Sequence, residues 1–403
     1  MSASAPAPFV LASYDAQVAD TIAELSVCAF PHGLNAVVLT GSLARGEGTW
    51  LNDGSLVRLA GDADFLGVFD DRAALPTPDR VAQLKREAKE QLASAGIEAN
   101  IGLSPVSAGY LRRLRPAILS YELITHGKVV WGDPHILNLV PAFAASEIPT
   151  DDGFRLLMNR MIELLEIVCE HDTLAANARE IPYRAMKLWL DMATSYLLFE
   201  RQYVPTYRGR AARLRELAAE SSTVAPIRLR RFAQMVALAT RCKLNEIDTE
   251  IREFADLATL IDAAHSLWRW ELERLTAPSA SDRDLRRRWI AAEPIAARMR
   301  GWAAVVERSG TARAMARMPA WIGLARKASP RRLIYDAASE LLFALPRLLE
   351  DEAAADNDSR WNELRCGLPV ADSPENRSSH CVWRRLGRAI TFNYHSFLVP
   401  TRS

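Results

Sequence analysis

Cysteine is scarce and scattered: Cys28, Cys169, Cys242, Cys366 and Cys381 are five in 403 residues, with no C-x-x-C pair. That spacing makes neither a zinc site nor a disulfide framework, and reduced thiols in a cytosol are the simplest account. An excess of charge is also missing. Fifty Lys and Arg against 49 Asp and Glu leave a net +1, which argues against a dedicated high-affinity binder of bulk nucleic acid. No apolar run reaches the length of a membrane span. The opening MSASAPAPFVLASYD has no basic n-region, so it is not expected to act as a secretory signal. No internal repeat is visible. What remains is ordinary globular composition, 49% hydrophobic and 25% charged, in a chain long enough for two or three domains. The expectation is a soluble, cytoplasmic protein.

The most informative stretch is residues 36–69, AVVLTGSLARGEGTWLNDGSLVRLAGDADFLGVF. Ala36 to Thr40 reads as a buried strand. Gly41-Ser42 and a short helix start, Leu43 to Glu47, follow. A second apolar strand carries Asp62 and Asp64 at alternate positions, which puts both carboxylates on one face. Two close carboxylates repel unless a cation sits between them. Hard oxygen ligands suit Mg²⁺, which takes one or two protein carboxylates and fills its shell with water and phosphate oxygens. Gly41 lets a phosphate chain approach the backbone. Ser42 offers a hydroxyl and an amide, the helix start offers free N–H groups, and Arg45 offers a planar donor fork.

This pattern, VVLTGSLARGE followed by GDADFLGVF, resembles the nucleotidyltransferase superfamily that includes DNA polymerase β and the small bacterial enzymes that adenylylate antibiotics. The stretch between the two halves is longer than the family pattern. Asn52-Asp53-Gly54 between apolar flanks marks an inserted β-hairpin over roughly Gly48 to Ala60. The resemblance implies a third carboxylate on the next strand, IEANIGL. Glu98 is the acid available, and Asn100 shares its face as the other occupant of that position.

The rest of the first part reads plainly. A helix capped by Ser13 runs to about Phe30 after a loose tail. Thr77-Pro78-Asp79 starts another helix, which Gly96 stops. Ser107 caps the next one. Tyr121 to His126 ends a helix before a short strand at Lys128–Trp131, and Glu122 reads either as an acid supporting the site from behind or, more simply, as a solvent-facing helix residue.

From about 150 strand signals disappear. Helices open at Thr150-Asp151-Asp152 and at Pro182, the second with Lys187 and Asp191 as i, i+4 partners. Similarity to nucleotidyltransferases with a helical C-terminal domain implies that Lys187 and Arg210 meet nucleotide phosphates and that Tyr207 stacks on a base or acceptor. The bland alternative is a surface ion pair and a packing tyrosine. Residues 283–332 are Arg-rich, a face for RNA, a phosphorylated acceptor, an acidic membrane or, more simply, solvent. Residues 351–360, DEAAADNDSR, read as an acidic loop. Arg388 and His395 have the separation used by HEPN-type ribonucleases, which we read as coincidence.

The fold class expected is therefore α+β: a nucleotidyltransferase domain with a small mixed sheet over residues 10–145, then a helical domain over 150–403 with a possible sub-boundary near 277. The resemblance implies nucleotidyl transfer from an NTP, in the first instance ATP, to an acceptor hydroxyl with release of pyrophosphate. Asp62 and Asp64 would hold one or two Mg²⁺ ions and, with Glu98, form the catalytic group. Gly41, Ser42, Arg45, Lys187, Tyr207 and Arg210 would bind the nucleotide. The acceptor stays open among a small molecule, a protein hydroxyl and an RNA end, and so does the oligomeric state. The alternatives are a nucleotide-sensing or interaction module of the same fold with weak or no turnover, and an RNA-directed enzyme.

Overall fold

A computed structural model of the chain describes residues 8–52, 54, 56–170, 180–220, 227–245, 250–350, 359–371 and 381–399. Most of the acidic run 351–360 lies outside them. The fold is α+β with a large helical portion. The chain divides into two compact units. One holds Met1–Asp152, Glu200–Leu214 and Thr240–Asp248, and the other holds Gly153–Phe199, Arg215–Ala239 and Thr249–Ser403.

The first unit is built on a mixed sheet. Its elements are α1 (Pro8–Ala29), β1 (Leu34–Thr40), α2 (Gly41–Ala44), β2 (Trp50–Asn52), β3 (Val57–Phe69), α3 (Pro78–Ser94), β4 (Ile97–Ser107), α4 (Ala108–Arg112), α5 (Ile118–His126) and β5 (Lys128–Gly132). Helix α1 begins at Pro8, so Ser13 lies inside it rather than capping it. The strand order is β2-β3-β1-β5, with β4 on the other side of β3. β3 is antiparallel to β1 and β2 and parallel to β4. The β2–β3 pairing, Trp50 opposite Leu59 and Asn52 opposite Val57, is the hairpin that Asn52 and Gly54 signal. Gly54 has φ +86°, and its amide donates to Asn52 Oδ1 at 3.1 Å.

Alternation decides what each face does. Val37, Leu39, Ala63, Phe65, Ala99 and Ile101 face one core with Val18 and Ile22 of α1 and Leu84, Ala88 and Leu92 of α3. On the opposite face, Ala36, Val38, Leu66 and Val68 are covered by Ala108 and Leu111 of α4 and Leu123 of α5. That second layer covers only the far half of β3. Upstream on the same face stand Asp62 and Asp64, both exposed.

Two returning segments complete this unit. The carbonyl of Lys243 accepts a hydrogen bond from the Thr49 hydroxyl, and Asn245 Nδ2 donates to the Trp50 carbonyl at 3.1 Å. From the other side, Trp50 Nε1 donates to Asp15 of α1 at 2.8 Å. The hairpin is therefore pinned at both ends of the chain order.

The second unit is helical. Among its elements are α6 (Thr150–Glu170), α7 (Glu180–Phe199), α8 (Tyr207–Glu220), α9 (Leu229–Lys243), α10 (Leu257–Leu275), α11 (Asp282–Ala291), α12 (Ile295–Ser309), α13 (Thr311–Lys327) and α14 (Pro330–Glu350), with later helices at Arg360–Cys366 and Val382–Asn393. The first residues of α6 and α8, and the last of α9, count with the first unit. Arg388 donates to the carbonyls of Cys169 and Glu170 at 2.9 and 3.1 Å, which satisfies the C-terminal end of α6. His395 is 2.8 Å from Glu166. Both are engaged in helix packing.

Glu271 on α10 is fully buried, and burial pushes its carboxyl up to about 8, with the Ser195 hydroxyl the one group lowering it. A raised folded-state pKa means that the native state holds the proton more tightly. Its stability contribution is full at low pH and is lost as pH rises through about 8. Glu271→Gln is therefore expected to melt above the parent at pH 9, with the gap closing toward pH 4. A melting series over that range reads it, and parallel curves at all pH values would contradict it.

Candidate active site

Gly41 turns the chain out of β1 with φ +71°, a conformation that suits glycine. The turn brings its backbone against Asp64: a Cβ on Gly41 would lie 3.2 Å from Asp64 Oδ2. Thr40 is the β1 residue opposite Asp64, and Gly102 is the β4 residue beside it. A Cβ on Gly102 would collide with Asp64 Oδ1. The Asp64 carboxylate thus lies over two positions that carry no side chain. The Gly41-Ser42 corner and the acidic strand meet at one place.

The electrostatics of the pair are strained. Loss of surrounding water, then the charge of Asp62, raise the Asp64 pKa to about 6, and Lys85 of α3 works the other way. Asp62 accepts a hydrogen bond from Asn100 Nδ2 at 2.6 Å. β3 and β4 lose simple register between Arg58 and Asp62. As a result Asn100, and not Gly102, stands next to Asp62; Glu98 stands next to Arg58, four positions upstream on β3. An amide, not an acid, flanks the pair on β4. Among the described residues no group of three or more His, Cys, Asp or Glu is placed to hold a metal ion. Two carboxylates on one face that repel each other still fit a hard divalent cation whose other ligands are water and phosphate oxygens.

Helix α2 is a single turn of four residues, so its dipole adds little, and any anion there meets Ser42 and individual N–H groups. Arg45, which ends that turn, does not point free into the site. Its side chain is 6% exposed and pairs with Glu122 and, at 3.4 Å, with Glu47. Burial works to lower its pKa, yet Glu122, then Tyr207, Glu47 and Tyr203, outweigh it and hold the guanidinium above its usual value.

Glu122 also accepts from the Tyr203 hydroxyl at 2.6 Å, so it is half-buried and engaged rather than facing solvent. The Glu47 carboxylate accepts from the amides of Tyr207 and Arg208 at 3.0 and 3.2 Å. It thereby caps the first turn of α8, where an acid is favourable. The Tyr207 ring lies 4.6 Å from the Arg210 guanidinium and 5.6 Å from that of Arg45. Arg210 is buried and donates to the carbonyls of Pro205 and Thr206. Tyr207 and Arg210 therefore belong to the first unit, in the layer that holds Arg45.

Lys187 lies in the second unit, with its ammonium 4.8 Å from the Tyr183 ring. Burial first, then Arg160, lowers its pKa. Asp191, expected as its partner, accepts instead from Arg160 Nε at 2.6 Å.

Sequence reasoning missed three nearby groups. Lys85 acts on Asp64 from a helix 21 residues downstream. Glu47 and Glu122 clasp Arg45 from both sides. Lys243 brings its ammonium to 3.8 Å from where a Cβ on Gly61 would be.

The site is an open corner: two strand acids on one face with a glycine-serine turn against them. No protein-family model and no curated protein sequence matches the chain. Among solved structures it is similar to the spectinomycin adenyltransferase AAD(9) from Enterococcus faecialis with ATP and spectinomycin, at 15% identity and a TM-score of 0.38, over 62% of this chain and 98% of that one. At that score the likeness transfers no residue role.

Gly102→Ala offers a separation of fold from function. The new Cβ would meet the far end of a side chain, not backbone, so Asp64 swings away at little cost to stability. On the reading proposed below, binding of ATP with Mg²⁺ weakens about tenfold or more, with a melting temperature close to the parent's. Unchanged binding would show that Asp64 does not need its present position.

Proposed function

We propose that the protein is a Mg²⁺-dependent nucleotidyltransferase that moves a nucleoside monophosphate from an NTP, ATP in the first instance, to an acceptor hydroxyl. The observation that carries this reading is the approach of the Gly41 turn to the Asp64 carboxylate, with Asp62 beside it on the same face. Asp62 and Asp64 would hold the cation. When bound, Mg²⁺ neutralises charge on the phosphate oxygens. Ser42 and the backbone at Gly41 orient the β- and γ-phosphates, so that the α-phosphorus faces the acceptor in line and pyrophosphate leaves.

Arg45 shapes this corner through Glu47 and Glu122 rather than by gripping phosphate. Tyr207 and Arg210 support the same layer. Lys187 as a phosphate ligand stays a proposal on the second unit, and its lowered pKa is the feature that favours a role for it. Glu98 as the base is the least supported role, since Asn100 holds the position next to Asp62.

That same amide favours a second reading, in which the protein binds a nucleotide with little or no turnover. Pyrophosphate release from ATP and Mg²⁺, measured with and without an aminoglycoside, a protein or an RNA end as acceptor, separates the two. Release that vanishes in Asp62→Asn supports the enzyme. ATP binding without release under any acceptor supports the sensor, and no binding at all removes both.

A further inference from the structure

Residues 295–327 contain seven Arg or Lys and a single acid, Glu307, in a chain whose net charge is +1. They form α12 and α13, adjacent helices joined at Gly310, which has φ +73°. The inner faces are well seated. Trp302, Val305, Ala314 and Trp321 pack with Val370 and Phe397. The two indoles donate to the carbonyls of Ala328 and Pro369 at 2.9 and 2.8 Å.

The outer faces are apolar as well. Eight large apolar side chains are exposed among the described residues, and five of them are here: Ile295 at 75%, Met299 at 57%, Met315 at 72%, Met318 at 37% and Ile322 at 50%. Ile295 and Met299 lie one turn apart on α12. Met315, Met318 and Ile322 lie at i, i+3 and i+7 on α13 and share one stripe. Arg300, Arg326 and Lys327 are exposed on the same two helices. An apolar stripe concentrated in this way marks a docking surface rather than random exposure.

We propose that the outward face of the α12–α13 hairpin docks the protein onto a phospholipid surface carrying anionic headgroups. The occupant follows from charge and shape. A second copy of the chain would set cation against cation. An acidic protein helix would want aromatic anchors at the centre of the contact, and both tryptophans of the hairpin are turned inward. A lipid surface needs neither. Met and Ile side chains enter the boundary between headgroups and acyl chains, while Arg stems lie along it with their guanidinium groups among the phosphates. No helix among the described residues is long and apolar enough to cross a membrane, so the contact is peripheral.

The test is co-sedimentation of the full chain with phosphatidylcholine vesicles, with and without phosphatidylserine. Binding is expected to the phosphatidylserine vesicles, to weaken as salt is raised, and to be slight on phosphatidylcholine alone. Met315→Asp/Ile322→Asp is expected to lower the partition about tenfold or more, with an unchanged circular dichroism spectrum, because both side chains face outward. Met315→Gln/Ile322→Gln, milder for folding, should lose binding in the same direction. Arg326→Ser/Lys327→Ser should lose chiefly the phosphatidylserine-dependent part. No sedimentation with either vesicle would overturn the proposal. So would undiminished binding by the Asp variant, or capture of RNA or an acidic amphipathic peptide by this face in place of vesicles.

Discussion

Asp64→Asn is expected to leave a protein that no longer releases pyrophosphate from ATP and yet melts higher than the parent above pH 6. Both effects come from one carboxylate. Loss of surrounding water, and then Asp62, raise its pKa to about 6, so the native state binds this proton more tightly than the unfolded chain does. Rising pH therefore removes stability between the ordinary value of 3.8 and about 6, and above that the penalty is constant. The amide removes the penalty, so the variant's advantage should appear above pH 6 and fade below pH 4. Because Asp64 is exposed along its strand face, the gain is modest. The activity loss is not: about 10²-fold or more, the scale on which one electrostatic partner of a reacting phosphoryl group counts. A variant both less stable and inactive would point to Asp64 as a structural residue.

Glu47→Ala is expected to destabilise the first unit strongly. The carboxylate is 3% exposed, pairs with Arg45, and accepts from the amides of Tyr207 and Arg208. Its removal leaves Arg45 with one carboxylate partner, Glu122, and takes the Glu47 acceptor from two amide donors at the start of α8. Breaking a buried pair by deleting one partner costs about 3–5 kcal/mol. Hydrogen exchange at the amides of β1 and β3 reads this unit specifically, and protection there should fall by the corresponding factor. Glu47→Gln keeps an acceptor oxygen and should fall less. Protection unchanged in Glu47→Ala would mean that the cluster is held by other contacts.

Much of the corner was legible because it is local. Alternation fixes the shared face of Asp62 and Asp64 wherever the strand pairs. Gly41 sits where a chain leaving a buried strand must turn with positive φ, and Asn52 with Gly54 announces a hairpin. Thr77 and Ser107 cap the helices expected of them, accepting from Arg80 and Tyr110. What was not legible is long-range. Nothing near Glu47 tells that it will cap a helix 160 positions away. Segments 200–214 and 240–248 read as parts of a continuous helical domain, yet they count with the sheet. The irregularity between Arg58 and Asp62 decides whether Gly102 or Asn100 stands opposite Asp62, and a bulge leaves no trace in an alternating pattern. Glu122 looked like a solvent-facing helix residue because its partners, Arg45 and Tyr203, come from opposite ends of the unit.

The most direct test is calorimetric titration of ATP into the protein, with and without Mg²⁺, for the parent and for Asp62→Asn/Asp64→Asn. The account predicts binding that depends on Mg²⁺ and disappears in the double variant while the fold persists. Binding equally tight without Mg²⁺, or retained in the double variant, would contradict it.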